Sequence, residues 1–406
     1  VTQATNRASP AVPAIFAAGF RFYFLAAGLF AIFSIAAWLF WLAVHAMGGA
    51  FANPAIEMAP HFWHAHEMVY GYTAAVIAGF FLTAVPNWTG SPPARAAYVA
   101  GTAAVWLAGR LAIWFSGLID PFVVALIDLA FVPLLGAKIT SNLWRKAQAR
   151  NFIFLGLLTL LFAGNLMMHL EWMSLPGGDA SAGIRLGLLT TIAMIAIIGG
   201  RIIPGFTRNA LNRRGHGGPM PVVNPLADRA GILSAVLVAL CAGLNAPYWL
   251  TGSFALAAAT ANGVRLARWG WLYTLSEPIL WSLHLGFFML VAGYGMLALA
   301  QLTGEFSEVG ALHFLGIGAA GGMTLAVMSR AALGHTGRPL IVARPIAFAY
   351  IAIALSALIR AFGTGVFPEA YYLVMLFSGG FWLLGFVLFA VIYLPILAFS
   401  EKLDPA

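Results

Sequence analysis

Charge is what this sequence has least of. Asp, Glu, Lys and Arg make up 8% of its 406 residues, and 62% are hydrophobic. A soluble domain carries about 25% charged residues, so this chain could not cover a soluble fold of its size. Cysteine is almost as scarce. The single Cys241, within "SAVLVALCAGL", excludes an internal disulfide and a cysteine-ligated cluster. The net charge of +8 is scattered rather than gathered into a basic run, which speaks against a nucleic-acid partner and asks for a reading by position. The first twenty residues lack an apolar core before a small-residue cleavage site. No signal peptide is expected, and the first apolar segment is expected to stay in place. The composition therefore predicts an all-α polytopic integral membrane protein embedded in a lipid bilayer.

Stretches of about 20 mostly apolar residues span a bilayer. Twelve qualify: 20–46, 61–86, 96–118, 121–142, 151–172, 183–206, 228–246, 248–268, 278–301, 311–330, 344–362 and 371–399. The connections are too short for an extramembrane domain, so residues 1–406 read as one transmembrane helical domain. The longest connection, 207–227, is rich in Gly, Pro and Asn and carries no helical pattern of its own. With the N-terminus in the cytoplasm, 18 of the 21 basic residues fall inside, among them Arg7, Lys146, Arg201 and Lys402. Arg110, Arg185 and Arg360 fall outside. A missed span would scramble that split, so both termini are expected in the cytoplasm.

The densest ionisable cluster is "PHFWHAHEMVYG" at 60–71, with His61, His64, His66 and Glu67, at the mouth of an apolar segment. The orientation puts these residues in the outer leaflet, with His45, His169 and His313 at similar depth on other spans. Ionisable groups inside a membrane are costly and usually face protein or water. Three helices besides the first span thus bring histidine to one level. Imidazole ligates metals and haem iron. His64 and His66, at i and i+2, point to different sides of a helix, whereas His64 and Glu67, at i and i+3, share a face. Residues 316–321, "GIGAAG", formally match a dinucleotide-binding pattern. They lie inside a span with no strand before them and no acid between Glu308 and Glu369. A close-packing helix face explains them better.

Three segments resemble one family. They are "WHAHEMVYGYTAAVIAGFFLTAVPNWTG" (63–90), "IIGGRIIPGFTRNAL" (197–211) and "GGMTLAVMSRAALGHTGRPL" (321–340). All three look like the NnrS family, bacterial membrane proteins associated with haem, copper and nitric oxide metabolism. The likeness covers nearly the whole chain. It implies a bacterial inner-membrane protein with haem b, and copper or a second non-haem metal as a further candidate. It also implies a part in removing nitric oxide, an oxidoreductase reaction drawing electrons from a quinol or a periplasmic carrier. The competing readings are a secondary transporter and a haem- or metal-handling protein without turnover. The best-placed ligands for iron or copper are His64, His66 and His313, with His169 next. Glu67 is the candidate proton relay, ligand or orienting carboxylate, with an ion pair to Arg110 or Arg185 as the plain alternative. Arg201 could meet a propionate, a quinone oxygen or a carboxylate. His284 could hold a second cofactor or bond a helix carbonyl, and His335 reads as structural.

Overall fold

The structure is a computed structural model that describes residues 13–49, 55–145 and 149–399. Arg7, Lys146 and Lys402, which entered the orientation count, lie outside the described residues. The chain is all-helical, with no strand among the described residues. Eleven helices are long and apolar enough to cross a membrane: α1 (Gly19–Ala46), α2 (Pro60–Thr89), α3 (Ala96–Trp114), α4 (Pro121–Trp144), α5 (Asn151–Trp172), α6 (Ala180–Arg213), α7 (Pro225–Gly243), α9 (Pro278–Thr303), α10 (Glu308–His335), α11 (Arg344–Val366) and α12 (Pro368–Ala398). Between α7 and α9 lies α8 (Tyr248–Ala267), a 20-residue helix packed on both neighbours. It is the twelfth expected span. Its Thr251, Asn262 and Arg265 lower its hydropathy but are buried against protein. Arg265 donates to Asp228 at 2.6 Å and to the Ala196 carbonyl at 3.0 Å. A Cβ on Gly200 would overlap its guanidinium, so this glycine makes room for a buried charge.

Local chemistry sets where the helices begin. Asp120, Asp179, Asn224 and Ser307 accept backbone N–H groups at the starts of α4, α6, α7 and α10. Proline occupies the first turn of α2, α4, α7 and α9, where its missing N–H costs nothing. One boundary differs from expectation. The 207–227 segment is not loop throughout, because α6 continues to Arg213 through Pro204. Thr207 lies in that added length and is buried. Glycine and proline in the sequence after it suggested an earlier end than the packing permits.

Burial identifies the centre of the bundle. The most apolar windows of α2 and α6 are each 78% buried, against 33% for α1. Many large apolar side chains on outer helices, such as Leu29, Phe40, Leu126, Phe348 and Phe377, are exposed. That is the pattern of a lipid-facing surface. The ends of the described chain meet, because Arg21 at the start of α1 donates to the carbonyls of Ile396, Leu397 and Phe399. An even number of crossings, which puts both ends on one side of the membrane, is consistent with this contact.

Helices α2 and α10 share an unusual feature. Each contains a π-helical segment, Glu67–Thr73 and Phe314–Gly321, directly after His66 and His313. The wider turn re-aims side chains within a continuous helix, and such segments are frequent at functional sites. Glycine makes the close approaches possible. A Cβ on Gly321 would lie 2.5 Å from the Trp382 ring, so the "GIGAAG" stretch is a packing face.

Candidate functional site

Helix α2 presents two different sites on its two sides. His64, Ala65, Met68, Val69 and Tyr72 line a cavity of about 430 Å³ between α1, α2, α6, α10, α11 and α12. That volume lies within the roughly 300–1,000 Å³ of small-molecule and cofactor sites. The walls are mostly apolar, with Ile35, Leu188, Leu312 and Met375 among them. His64 and His313 face into this space from α2 and α10. Their rings are nearly parallel, 15° apart in plane, with centroids separated by 6.5 Å. His313 has its Nδ1 within 2.8 Å of the Val309 carbonyl one turn back, which fixes the ring and leaves Nε2 for other work. His64 stacks on Trp38 of α1 at 4.8 Å, and its buried Nδ1 has no hydrogen-bond partner.

The other side of α2 carries a dry polar cluster. Arg110 of α3 donates to both Glu67 of α2 and Asp128 of α4. Asn165 and His169 of α5 bond the second Asp128 oxygen at 2.8 and 2.9 Å. His66 joins the cluster to itself, with Nδ1 2.9 Å from Glu67 and Nε2 2.9 Å from the Asn165 carbonyl oxygen. Every member is buried. One guanidinium thus faces two carboxylates and two imidazoles away from lipid, and nearly every polar atom is answered. Buried charges persist only when paired in this way. Gly71 lets the pairing close, because a Cβ there would meet Phe30 at 2.6 Å and Arg110 at 2.9 Å. Trp106 caps the arrangement by donating to the Gly71 carbonyl. Ligand atoms of His66, Asp128 and His169 lie within 4.8 Å of one another, a spacing that could hold a metal ion. A cation there would compete with Arg110 for the carboxylate and with Asn165 for one of its oxygens.

The residues expected to form one site therefore divide into pairs. His64 and His313 meet at the cavity, while His66 and His169 meet in the polar cluster, with ring centroids 5.9 Å apart. Among the described residues, Glu67 pairs with His66 and Arg110 and not with His64. The π-helical turn begins at Glu67, so the ordinary i, i+3 rule does not carry across it, and the carboxylate lies with Arg110 and His66 instead. The Arg110 partner considered as the plain alternative is present, together with a histidine. His284 lies apart, its Nε2 3.0 Å from the Thr207 hydroxyl rather than on a helix carbonyl. Arg201 is exposed, donates to Asn151 and lies over the Phe154 ring at 5.0 Å. Neither borders the cavity. His335 packs on Phe20, and His216 against Tyr273.

Asp128, Asn165, Trp38 and Arg360 are site residues that sequence reading passed over, and Arg110 was read only as a plain ion-pair partner of Glu67. Asp128 carried the one available signal, a lone carboxylate in the middle of an apolar span.

Among curated proteins, no match was found for this chain. The family model described as NnrS protein matches residues 14–399, nearly the whole chain, and the protein belongs to the NnrS family.

Proposed function

We propose that the protein is a haem-binding protein of the bacterial inner membrane that binds nitric oxide and removes it, using the cavity between α2 and α10. Family membership supports a part in the response to nitric oxide. The observation that carries the cofactor reading is the pair of imidazoles across the cavity, near-parallel and 6.5 Å apart. Imidazole ligates haem iron, and these two rings, from separate helices at one cavity, are the residues that would hold it. The buried, unpartnered Nδ1 of half-buried His64 is the second support, because an orphaned buried polar atom calls for a partner.

Haem b bound there supplies a redox-active iron that can take nitric oxide as a ligand. The chain's own residues do the rest. His313, fixed by the Val309 carbonyl, is the anchored ligand. His64, held by its stack on Trp38, would be the second residue to hold the iron. The apolar walls favour a small uncharged substrate and exclude water. Glu67 acts through His66 and Arg110, keeping α2 in position on the side away from the cavity. It is a positioning residue rather than a group that touches substrate. The basic-residue distribution supports a cavity in the outer leaflet and both termini in the cytoplasm. Reduction would draw electrons from a quinol or a periplasmic carrier.

Purified protein should show a haem spectrum that shifts when nitric oxide is added without oxygen. Sustained consumption with an electron donor would establish turnover. A spectral shift without consumption would reduce the function to binding, and a colourless protein from haem-sufficient cells would refute the reading.

A further inference from the structure

Arg360 is the one cation among the cavity-lining residues other than the histidines, and no Asp or Glu lines that space. It comes from α11, one turn beyond Ser356, toward the end of the bundle where His64 and His313 lie. Ser356 is already committed: its hydroxyl donates to the Ser378 carbonyl, its carbonyl accepts from the Ser378 hydroxyl, and the two hydroxyls lie 3.3 Å apart. Tyr371 stands at the same end of the cavity. Of three other buried arginines among the described residues, two meet carboxylates, Arg110 with Glu67 and Asp128 and Arg265 with Asp228, while Arg330 lies over the Phe206 ring at 4.0 Å. Among the described residues, no carboxylate forms an ion pair with Arg360.

A half-buried guanidinium beside two imidazoles raises the positive potential of an otherwise apolar space. Such a site favours a ligand that is largely apolar and carries an anionic group at one edge. A guanidinium presents paired N–H donors in the geometry of a carboxylate. We infer that Arg360 is the anion-pairing residue of this cavity, binding a carboxylate of the molecule held between His64 and His313. The inference rests on the haem reading proposed above, where that carboxylate is a propionate. A lipid phosphate at the cavity mouth offers similar chemistry from another source, and the experiment separates the two.

The test compares wild type, Arg360→Gln and Arg360→Lys, each loaded with haem and each loaded with haem dimethyl ester. The readout is the rate at which the porphyrin transfers to an excess of a haem-scavenging apoprotein. One charge-assisted pairing predicts that Arg360→Gln loses haem faster by on the order of 10- to 100-fold, with part of the loss recovered in Arg360→Lys. With the dimethyl ester, which has no carboxylate, the wild type should lose its ligand as fast as Arg360→Gln. Equal rates for wild type and Arg360→Gln with free haem would overturn the pairing and leave the haem reading intact. A difference that persists with the ester would overturn it in favour of a lipid phosphate or a structural role. Absence of haem from the wild type would remove both readings.

Discussion

Replacing Arg110 with methionine should be among the most damaging single changes in the protein. Methionine matches the aliphatic stem of the side chain and keeps its apolar contacts. What disappears is the one guanidinium that pairs with both Glu67 and Asp128, leaving them His66 at 2.9 and 3.2 Å. Both carboxylates are buried, at 1% and 3% exposure, and neither can turn to water. Removing one partner of a buried ion pair costs about 3–5 kcal/mol, because the other charge is left without compensation. Asp128→Asn should be milder, about 1–3 kcal/mol. Arg110 keeps Glu67, and the new amide oxygen still accepts from Asn165. Arg110→Met with Asp128→Asn should then cost less than the sum of the two, by about 0.5–3 kcal/mol. The assay is reversible unfolding in mixed detergent micelles, followed by tryptophan fluorescence. Because this cluster lies on the side of α2 away from the cavity, haem content of the folded fraction should be unchanged. Arg110→Met within about 1 kcal/mol of wild type, or strict additivity in the double variant, would show that the cluster does not hold α2 to α3, α4 and α5 as reasoned.

Gly187→Ala should destabilise the α2–α6 contact by about 1–3 kcal/mol, because the added methyl would overlap the Tyr70 hydroxyl and lie 2.6 Å from the ring carbon that bears it; a double change with Tyr70→Leu costing less than the sum of the two single changes, read by the same unfolding assay, checks the mechanism. Asp179 caps α6 outside the span. Burial pushes its carboxyl up, but the Ala182 N–H, the Asn245 amide and Arg185 outweigh this and hold it below the ordinary range. Its contribution is therefore present above the ordinary aspartate pKa of about 4 and is lost as pH falls below it. Asp179→Asn should flatten the acid arm of a stability profile, and an unchanged profile would refute the pairing. Elemental analysis should find iron but no stoichiometric copper or zinc, since Arg110 and Asn165 already occupy Asp128. A second metal lost on His169→Ala would contradict that.

The membrane helices were legible because lipid leaves so little freedom. Long uncharged runs have one reading, and a run such as 371–399 needs no knowledge of its neighbours. Even α8 was found by length and by the charge split, although its polar residues blur its hydropathy. The helix end at 206 was misplaced because Pro204 and the glycines beyond it signal a break that packing overrides. The histidine stretch at 60–71 stood out by density alone. How it divides could not be read, because which side each residue faces depends on the π-helical turn that begins at Glu67. Arg110 and Asp128 are single polar residues in separate spans, 18 positions apart. Nothing local links them, and their partnership exists only once α3 and α4 pack together. Arg360 looked like an ordinary outer charge for the same reason.

The most direct test of the central claim is haem bound per chain, measured by pyridine haemochrome on wild type, His64→Ala, His313→Ala and His216→Ala purified from the same haem-sufficient cells. His64 and His313 face one cavity from two helices, while His216 packs on Tyr273 elsewhere. Haem should be retained in wild type and His216→Ala and lost or sharply reduced in both cavity variants. Full haem content in His64→Ala and His313→Ala, with both proteins folded, would contradict the account.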